Sequence, residues 1–334
     1  MSKKLLVTGC AGFIGYNFCF QMLDEGFTIL GIDNLNDAYS PLLKKERRRK
    51  LEQNGSFSFV DMDLAIVKDF DSIKGGFDGV VHLSARAGVR QSFLNPEMYV
   101  RDNTLATANI ANFVNKESIS KLIIASTSSI YGDSGSNKVT EDKDELESPP
   151  SVYAATKIAG ENIAKTITAD SDTIVSIPRF FTVYGPWGRP DMSILRFIHW
   201  IQSGEEVRLY GDGNQKRAFT FVDDVVIALK KLVDQDLPGT FNIGSDNVST
   251  LNEVIKLIEK NLDTKAKINF LERAYRDVDV VTPNLDKSKS ELNWTASTNL
   301  EEGITKTVEW AKEEINLQNK IEYLYEGENR PYEN

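Results

Sequence analysis

Cysteine and histidine are scarce: Cys10, Cys19, His82 and His199 are all that 334 residues contain. That scarcity excludes a disulfide framework and every zinc spacing, so no metal is expected, and a reduced, cytoplasmic setting is the simplest expectation. Positive charge is short as well. Against 49 Asp and Glu stand 39 Lys and Arg, leaving a net charge of −10. A nucleic-acid surface needs a basic face to displace counterions, so no nucleic-acid partner is expected. Long apolar runs are missing too. Nothing approaches the ~20 apolar residues that cross a bilayer. The lysine-flanked opening Leu5-Leu6-Val7 breaks into glycines before it reaches the length of a signal-peptide core. No internal repeat or low-complexity tract appears, and neither a membrane nor a repetitive scaffold is indicated.

What is present suits an ordinary globular protein with a substantial core, since 41% of residues are hydrophobic and 26% charged. Short apolar runs at 4–8, 28–32, 58–60, 79–83, 122–125 and 173–177 alternate with stretches of helical period. Those stretches are 13–25, about 40–53, 96–116 and 151–169. Alternating strand and helix predicts an α/β fold, a doubly wound parallel sheet covered on both faces. Beyond about 180 the texture becomes irregular, with helical patterns at 191–203, 251–261 and 300–318. The expected organisation is a nucleotide-binding domain over 1–180 and a smaller α/β substrate domain over 181–334. Segments near 218–245 are expected to return to the first domain. The basic run Lys44–Lys50, KKERRRK, reads as a solvated helix face balanced by acids elsewhere.

Gly9, Gly12 and Gly15 follow the first strand directly and open the first helix. Glycine there permits a tight turn, lets backbone approach a pyrophosphate and allows close helix–strand packing. The helix N-terminus adds unpaired N–H groups and a positive dipole end. Asp33 ends the second strand, where an acid accepts ribose hydroxyls and repels a 2′-phosphate. The loop and its acid therefore predict a Rossmann-type site for NAD rather than NADP. Asp63, after the third strand, is placed to reach the adenine.

The octet ASTSSIYG, 125–132, carries four hydroxyls from Ser126 to Ser129 at a strand end. Taken alone it reads as a Ser/Thr-rich turn. Further on, SVYAATKIAG sets Tyr153 and Lys157 at i and i+4, on one helix face. An ammonium beside a phenol, together with the positive nicotinamide of NAD⁺, favours the phenolate, so Tyr153 is expected to have a lowered pKa and to act as a general base.

Together the glycine loop, the Thr127 strand end and Tyr153-x-x-x-Lys157 resemble the extended short-chain dehydrogenase/reductase family. HLSARAGVRQSFLNP (82–96), RFFTVYGPWGRPDM (179–192) and FTFVDD (219–224) narrow the resemblance to the UDP-glucuronate 4-epimerases. It runs from residue 3 to about 311. The resemblance implies an NAD-dependent isomerase that turns UDP-glucuronate into UDP-galacturonate through a transient 4-keto sugar. It makes Thr127, Tyr153 and Lys157 the catalytic set and places Phe13, Ile14, Leu64 and Leu83 along the cofactor. Arg90, Arg217 and Arg276 fall at contacts to the nucleotide sugar. It further implies a homodimer built from the helices near 96–116 and 151–169.

For the extra hydroxyls the same resemblance suggests a role. A 4-keto hexuronate is a β-keto acid and loses CO₂ when its C5–carboxyl bond aligns with the new carbonyl. Ser128, Ser129 and Thr182, with Arg189 nearby, would hold the carboxylate out of that alignment. Related decarboxylases carry a glutamate at the position of Ser129, and related 4,6-dehydratases an Asp-Glu pair at 128 and 129. Departures from the family pattern stand at Ser84, Arg86, Ala218 and Val278. Two alternatives stay open: epimerisation of a neutral UDP-hexose or UDP-N-acetylhexosamine, and a cofactor-bearing regulatory protein without turnover. The aromatics Phe180, Phe181, Tyr184 and Trp187 read chiefly as packing between domains.

Overall fold

The computed structural model describes residues 2–135, 137–142, 148–272 and 281–321. Its first half supplies β1 (Lys4–Thr8), β2 (Thr28–Asp33), β3 (Phe57–Asp61), β4 (Gly79–His82), β5 (Lys121–Ile124) and the short β6 (Ser126–Thr127). After a two-residue strand, β7 (Lys138–Val139), comes β8 (Ile174–Phe180). The sheet is parallel throughout, in the order β3-β2-β1-β4-β5-β8, with β6 also paired to β8 and the strand Gly239–Ile243 closing the edge.

Alternation along the strands decides which side chains go to which face. Leu5 and Val7 of β1 join Val81 and Ile123 in one core, with Phe18, Cys19 and Met22 of α1 (Phe13–Asp24) and Val225 and Leu229 of the helix Val222–Asp234. Leu6 joins Ile32, Val80, Leu122 and Ile124 in the other. There Ile110, Phe113 and Val114, on the helix Ala106–Lys116, complete the layer. Helices cover both faces, as a doubly wound sheet requires.

Register places the site. Thr8 lies opposite Ile32 on one side and His82 on the other. Gly9, Asp33 and Leu83 therefore emerge along one edge of the sheet. Strand order also reverses at β1, with β2 and β3 on one side and β4 and β5 on the other. A crevice outside the carboxyl ends at such a reversal is where an open α/β sheet binds ligands.

Two local expectations need correction. The basic run forms α2 (Pro41–Leu51), but Lys44 and Arg47 are buried rather than solvated. Arg47 stands four residues from both Leu43 and Leu51 on the stripe that faces inward, whereas Arg48 and Arg49 pair outside with Glu52 and Glu46. The helical stretch 96–116 is likewise not continuous. After α3 (Val89–Leu94) come α4 (Pro96–Tyr99), a π-helical turn at Val100–Leu105 and α5 (Ala106–Lys116). The turn seats the buried Asn103, whose side chain bonds Arg86 N at 2.7 Å, Arg86 O at 3.1 Å and Thr156 Oγ1 at 3.1 Å.

Later segments build a smaller layer from the helices Ser193–Ser203, Leu251–Leu262 and Leu300–Glu313 and a parallel pair, Glu206–Tyr210 with Lys267–Leu271. Asp224, within FTFVDD, ties this layer down. Its carboxylate accepts from Ser297 N and Oγ and from Thr298 N, while Trp294 Nε1 donates to its carbonyl at 2.9 Å.

Candidate active site

Where the strand order reverses, a cavity of about 400 Å³ opens along the sheet edge. Gly9, Gly12 and Gly15 form one wall. Gly9 holds φ +69°, and a Cβ there would meet Ser84 N at 2.7 Å. At Gly15 it would run into the Gly9 carbonyl oxygen. Only bare backbone fits, which leaves room for a diphosphate at the mouth of α1. Phe13, Ile14, Asp33, Asp63, Leu64 and Leu83 line the same cavity.

Asp33 is buried and already oriented, its carboxylate accepting from Ala11 N at 3.2 Å and Leu35 N at 2.9 Å. Burial raises its pKa, and the neighbouring Lys44 opposes that rise. Asp63 is less free than the sequence suggested. It accepts from Ala65 N at 2.9 Å and pairs with Arg101, which also holds Asp102.

The second wall carries the candidate chemistry. Ser151, after two prolines, caps α6 (Val152–Ile167) by accepting from Ala154 N at 3.1 Å. That start presents Tyr153 and Lys157 to the cavity, where Thr127, Ser128, Ser129 and Thr182 also lie. Thr127 Oγ1 accepts from Ser129 N and donates to Ser129 Oγ, both at 3.1 Å. The hydroxyl run thus splits. Thr127 and Ser129 form the turn that the bland reading expects while lining the cavity, and Ser126 turns away to Glu161. Tyr153 is half-buried, edge-on to Tyr99 at 6.3 Å between ring centroids.

The protein's own groups do not lower the pKa of Tyr153. Burial raises the Tyr153 pKa, and the Thr127 hydroxyl and the Arg189 charge only partly offset that. Lys157 is itself buried, which brings its ammonium down to about 8, with Glu161 opposing. The lowered phenol therefore needs charge beyond what the protein alone brings.

Arg189 lines the cavity, but Asp191 takes its guanidinium in a fork, Nε donating to Oδ1 at 3.0 Å and Nη2 to Oδ2. Arg90 and Arg217 are not part of the cavity wall. The Arg90 guanidinium lies 5.6 Å from the Tyr210 ring centre, and Arg217 donates to Lys216 O at 2.9 Å. Arg276 lies outside the described residues. Phe180 and Phe181 are buried cavity residues, whereas Tyr184 packs on Phe219 and Phe221, and Trp187 on Tyr16 and Trp310. The sequence reading missed Asn36, Tyr39 and Lys44 on the wall. Asn36 and Tyr39 belong to the Asn- and Asp-rich loop NLNDAYS that follows Asp33, and Lys44 to the basic run of α2.

Against known proteins, residues 5–244 match the model of the NAD dependent epimerase/dehydratase family. The chain belongs to that family. Among its members, a UDP-glucuronate 4-epimerase of Thermodesulfobacterium geofontis is 39% identical over 325 residues, covering 95% of this chain and 98% of the relative. A crystal structure of UDP-glucuronic acid 4-epimerase from Bacillus cereus, with UDP-glucuronic acid and NAD, superposes with a TM-score of 0.85 at 30% identity. It covers 93% of this chain and 99% of its own. A UDP-glucose 4-epimerase of Thermotoga maritima, with UDP-glucose, gives 0.86 at 26% identity, covering 93% and 99%. NAD fits the cavity of this family member on the chain's own terms: a glycine wall without room for a Cβ, and a buried, pre-oriented acid where a ribose would lie.

Proposed function

We propose that the chain is an NAD-dependent 4-epimerase of UDP-glucuronate, forming UDP-galacturonate reversibly and without loss of CO₂. The observation that carries this reading is the shared cavity: Ser128, Ser129 and Thr182 line it with Thr127 and Tyr153, and neither 128 nor 129 is an acid. The glycine loop, Asp33, Phe13, Ile14, Leu64 and Leu83 would hold the cofactor. Bound there, NAD would supply hydride transfer at C4 and a positive ring that joins Lys157 in favouring the Tyr153 phenolate. Tyr153 removes the proton of the 4-hydroxyl and later gives it back. Thr127 bonds the same oxygen, ketone or alcohol, because a hydroxyl both donates and accepts.

Carboxylate control falls to the hydroxyls. Ser128, Ser129 and Thr182 donate to the C5 carboxylate and hold its bond out of line with the 4-keto group, and no neighbouring acid at 128 or 129 delivers a proton. Arg189, committed to Asp191, contributes charge nearby rather than a free fork. That commitment, with the UDP-glucose 4-epimerase likeness, favours as second reading a 4-epimerase of a neutral UDP-hexose or UDP-N-acetylhexosamine.

Incubation of purified protein with UDP-glucuronate and no added NAD tests both. UDP-galacturonate without CO₂ is expected. UDP-pentose with CO₂ would overturn the cradle, and turnover of UDP-glucose or UDP-N-acetylglucosamine alone would favour the second reading. Arg90 and Arg217, which stand off the cavity wall, and Arg276 are proposed contacts of the nucleotide diphosphate.

The proposal extends to a homodimer through the helices near 96–116 and 151–169, supported by exposed Val100 and Leu105 on the first, and sedimentation at varied concentration tests it. A cytoplasmic setting and a product used in surface polysaccharide synthesis complete the reading. Among the described residues no helix is long and apolar enough to cross a membrane.

A further inference from the structure

One turn beyond Lys157 on α6, Glu161 sits in a buried charge cluster to which the chemistry above assigns no role. Its carboxylate is gripped by Arg179 of β8, Nε donating to Oε1 at 3.1 Å and Nη2 to Oε2 at 2.7 Å. Ser126 Oγ donates to the same Oε1. Both side chains of the pair are 3% exposed. Arg179 is braced in turn, its Nη1 donating to Tyr131 Oη at 2.9 Å and to Glu141 O at 3.0 Å. Tyr131 Oη donates to Asn242 Oδ1 at 2.7 Å. A buried ion pair gains little over well-packed apolar residues of similar volume, so its presence calls for another reason.

Position supplies that reason. Three segments that carry or lead into proposed catalytic and substrate-binding residues meet at Glu161: α6 with Tyr153 and Lys157, β6 with Thr127 beside Ser126, and β8, which leads into Thr182. We propose that Glu161 is a positioning residue, locking the Thr127 strand end to α6 through Ser126 and setting its negative charge one helical turn from the Lys157 ammonium that serves Tyr153. The inference rests on the reading of Tyr153 as the base.

Other ionisable groups near α6 do not serve instead. Tyr99, Tyr131 and Arg179 bring no anion, Arg189 sets a positive charge towards Tyr153 but is held by Asp191, and Asp102 in the π-helical turn is held by Arg86 and Arg101. His82 on β4 is buried and neutral. The Lys157 ammonium is brought down to about 8 by burial, and Glu161 is the group that opposes this.

The test titrates the Tyr153 phenolate by ultraviolet difference absorbance in the NAD-bound protein, with Tyr153→Phe as the blank. It uses no sugar, so its outcome stands apart from that of the UDP-glucuronate assay. Glu161→Gln is expected to raise the phenolate midpoint by about one pH unit or more, because a neutral Lys157 no longer favours the anion. An unchanged midpoint overturns the proposal. So does a lowered one, which is what losing a nearby anion produces when Lys157 stays charged. Glu161→Gln with Arg179→Gln removes both buried charges, leaves no unpaired guanidinium to disturb the fold or the phenolate, and must still show a rise. Glu161→Asp keeps the charge and must keep the wild-type midpoint; a rise there also counts against the proposal.

Discussion

Arg47, in the middle of α2, donates through Nη2 to the carbonyl of Trp187, 140 residues along the chain, at 2.5 Å. The same nitrogen reaches Gly188 O at 2.9 Å, while Nη1 reaches Ala11 O at 2.9 Å and Tyr39 Oη at 2.7 Å. One buried guanidinium thus binds the glycine loop, the loop after Asp33 and the segment that bears Arg189. Trp187 holds φ +60°, a left-handed conformation that a bulky residue adopts only when its surroundings enforce it. Arg47, Tyr16 and Trp310 are those surroundings.

Replacing Arg47 by methionine keeps much of the packing and strands these carbonyls. Hydrogen bonds to a charged group contribute roughly 1.5–3 kcal/mol each, so a loss of at least about 3 kcal/mol is expected. Because Ala11 belongs to the cofactor loop, the variant should also retain less NAD after purification. Urea unfolding and cofactor content, measured on the same preparation, check both. Full NAD content would show that the two loops are not coupled through this residue.

At Gly15 the expected effect is steric. An added Cβ meets a backbone carbonyl, that of Gly9, which cannot move aside as the end of a flexible side chain could. Gly15→Ala should fold around a displaced loop and bind NAD at least tenfold more weakly, about 1.4 kcal/mol. Calorimetric titration with NAD reads it. Gly26→Ala is the contrast, since its Cβ would meet nothing within 4 Å, although φ +86° costs it some stability. Its NAD affinity should stay at the wild-type level.

Tyr153→Phe removes one oxygen from a half-buried ring and leaves the glycine wall and Asp33 intact. A positioned proton-transfer group contributes about 10²–10⁴ in rate, and a fall of that size in kcat is expected with NAD content near wild type. Because burial raises the Tyr153 pKa, the wild-type rate should climb with pH until the phenolate predominates. Rates measured across pH with saturating UDP-glucuronate check the direction. A flat profile would remove the phenolate from the mechanism.

How much of this could be read from the sequence depends on whether the signal was local. Strands such as Lys4–Thr8 announce themselves by composition, and their alternation splits Leu6 from Leu5 and Val7 between the two cores. The glycine loop and Asp33 are local too, since turn geometry and strand end fix where they stand. Arg47 was not legible. Its neighbours in sequence are charged, and only its spacing from Leu43 and Leu51 hints that it faces inward. The π-helical turn was hidden for a similar reason, because Asn103 finds its partners on Arg86 and Thr156, far away in the chain. Tyr153 shares a helix face with Lys157 as its spacing implies, but its ionisation depends on burial, which spacing alone does not report.

His82 offers a pH test of the fold itself. It is fully buried at the end of β4, and its two ring nitrogens meet Thr8 Oγ1 at 2.7 Å and Thr107 Oγ1 at 3.0 Å. Thr107 spends its proton on Asn103 O at 2.6 Å, so its oxygen accepts from His82 Nε2–H. His82 Nδ1 then accepts from Thr8, whose oxygen receives Ser84 N–H at 3.3 Å. Every donor in this chain has an acceptor only while the ring is neutral. A second ring proton would face the Thr8 hydroxyl proton and the Lys157 charge. Burial, then Lys157, brings the His82 pKa down to about 3 from the ordinary 6.5. With the folded value depressed, the unfolded chain binds the extra proton first as pH falls. Stability is therefore fully present above about 6.5 and is lost progressively towards pH 3, a contribution on the order of several kcal/mol. His82→Gln should flatten the part of the urea-midpoint profile that lies between those values while lowering stability at pH 7.5. A slope as steep as that of the wild type would assign the acid sensitivity to the carboxylates instead.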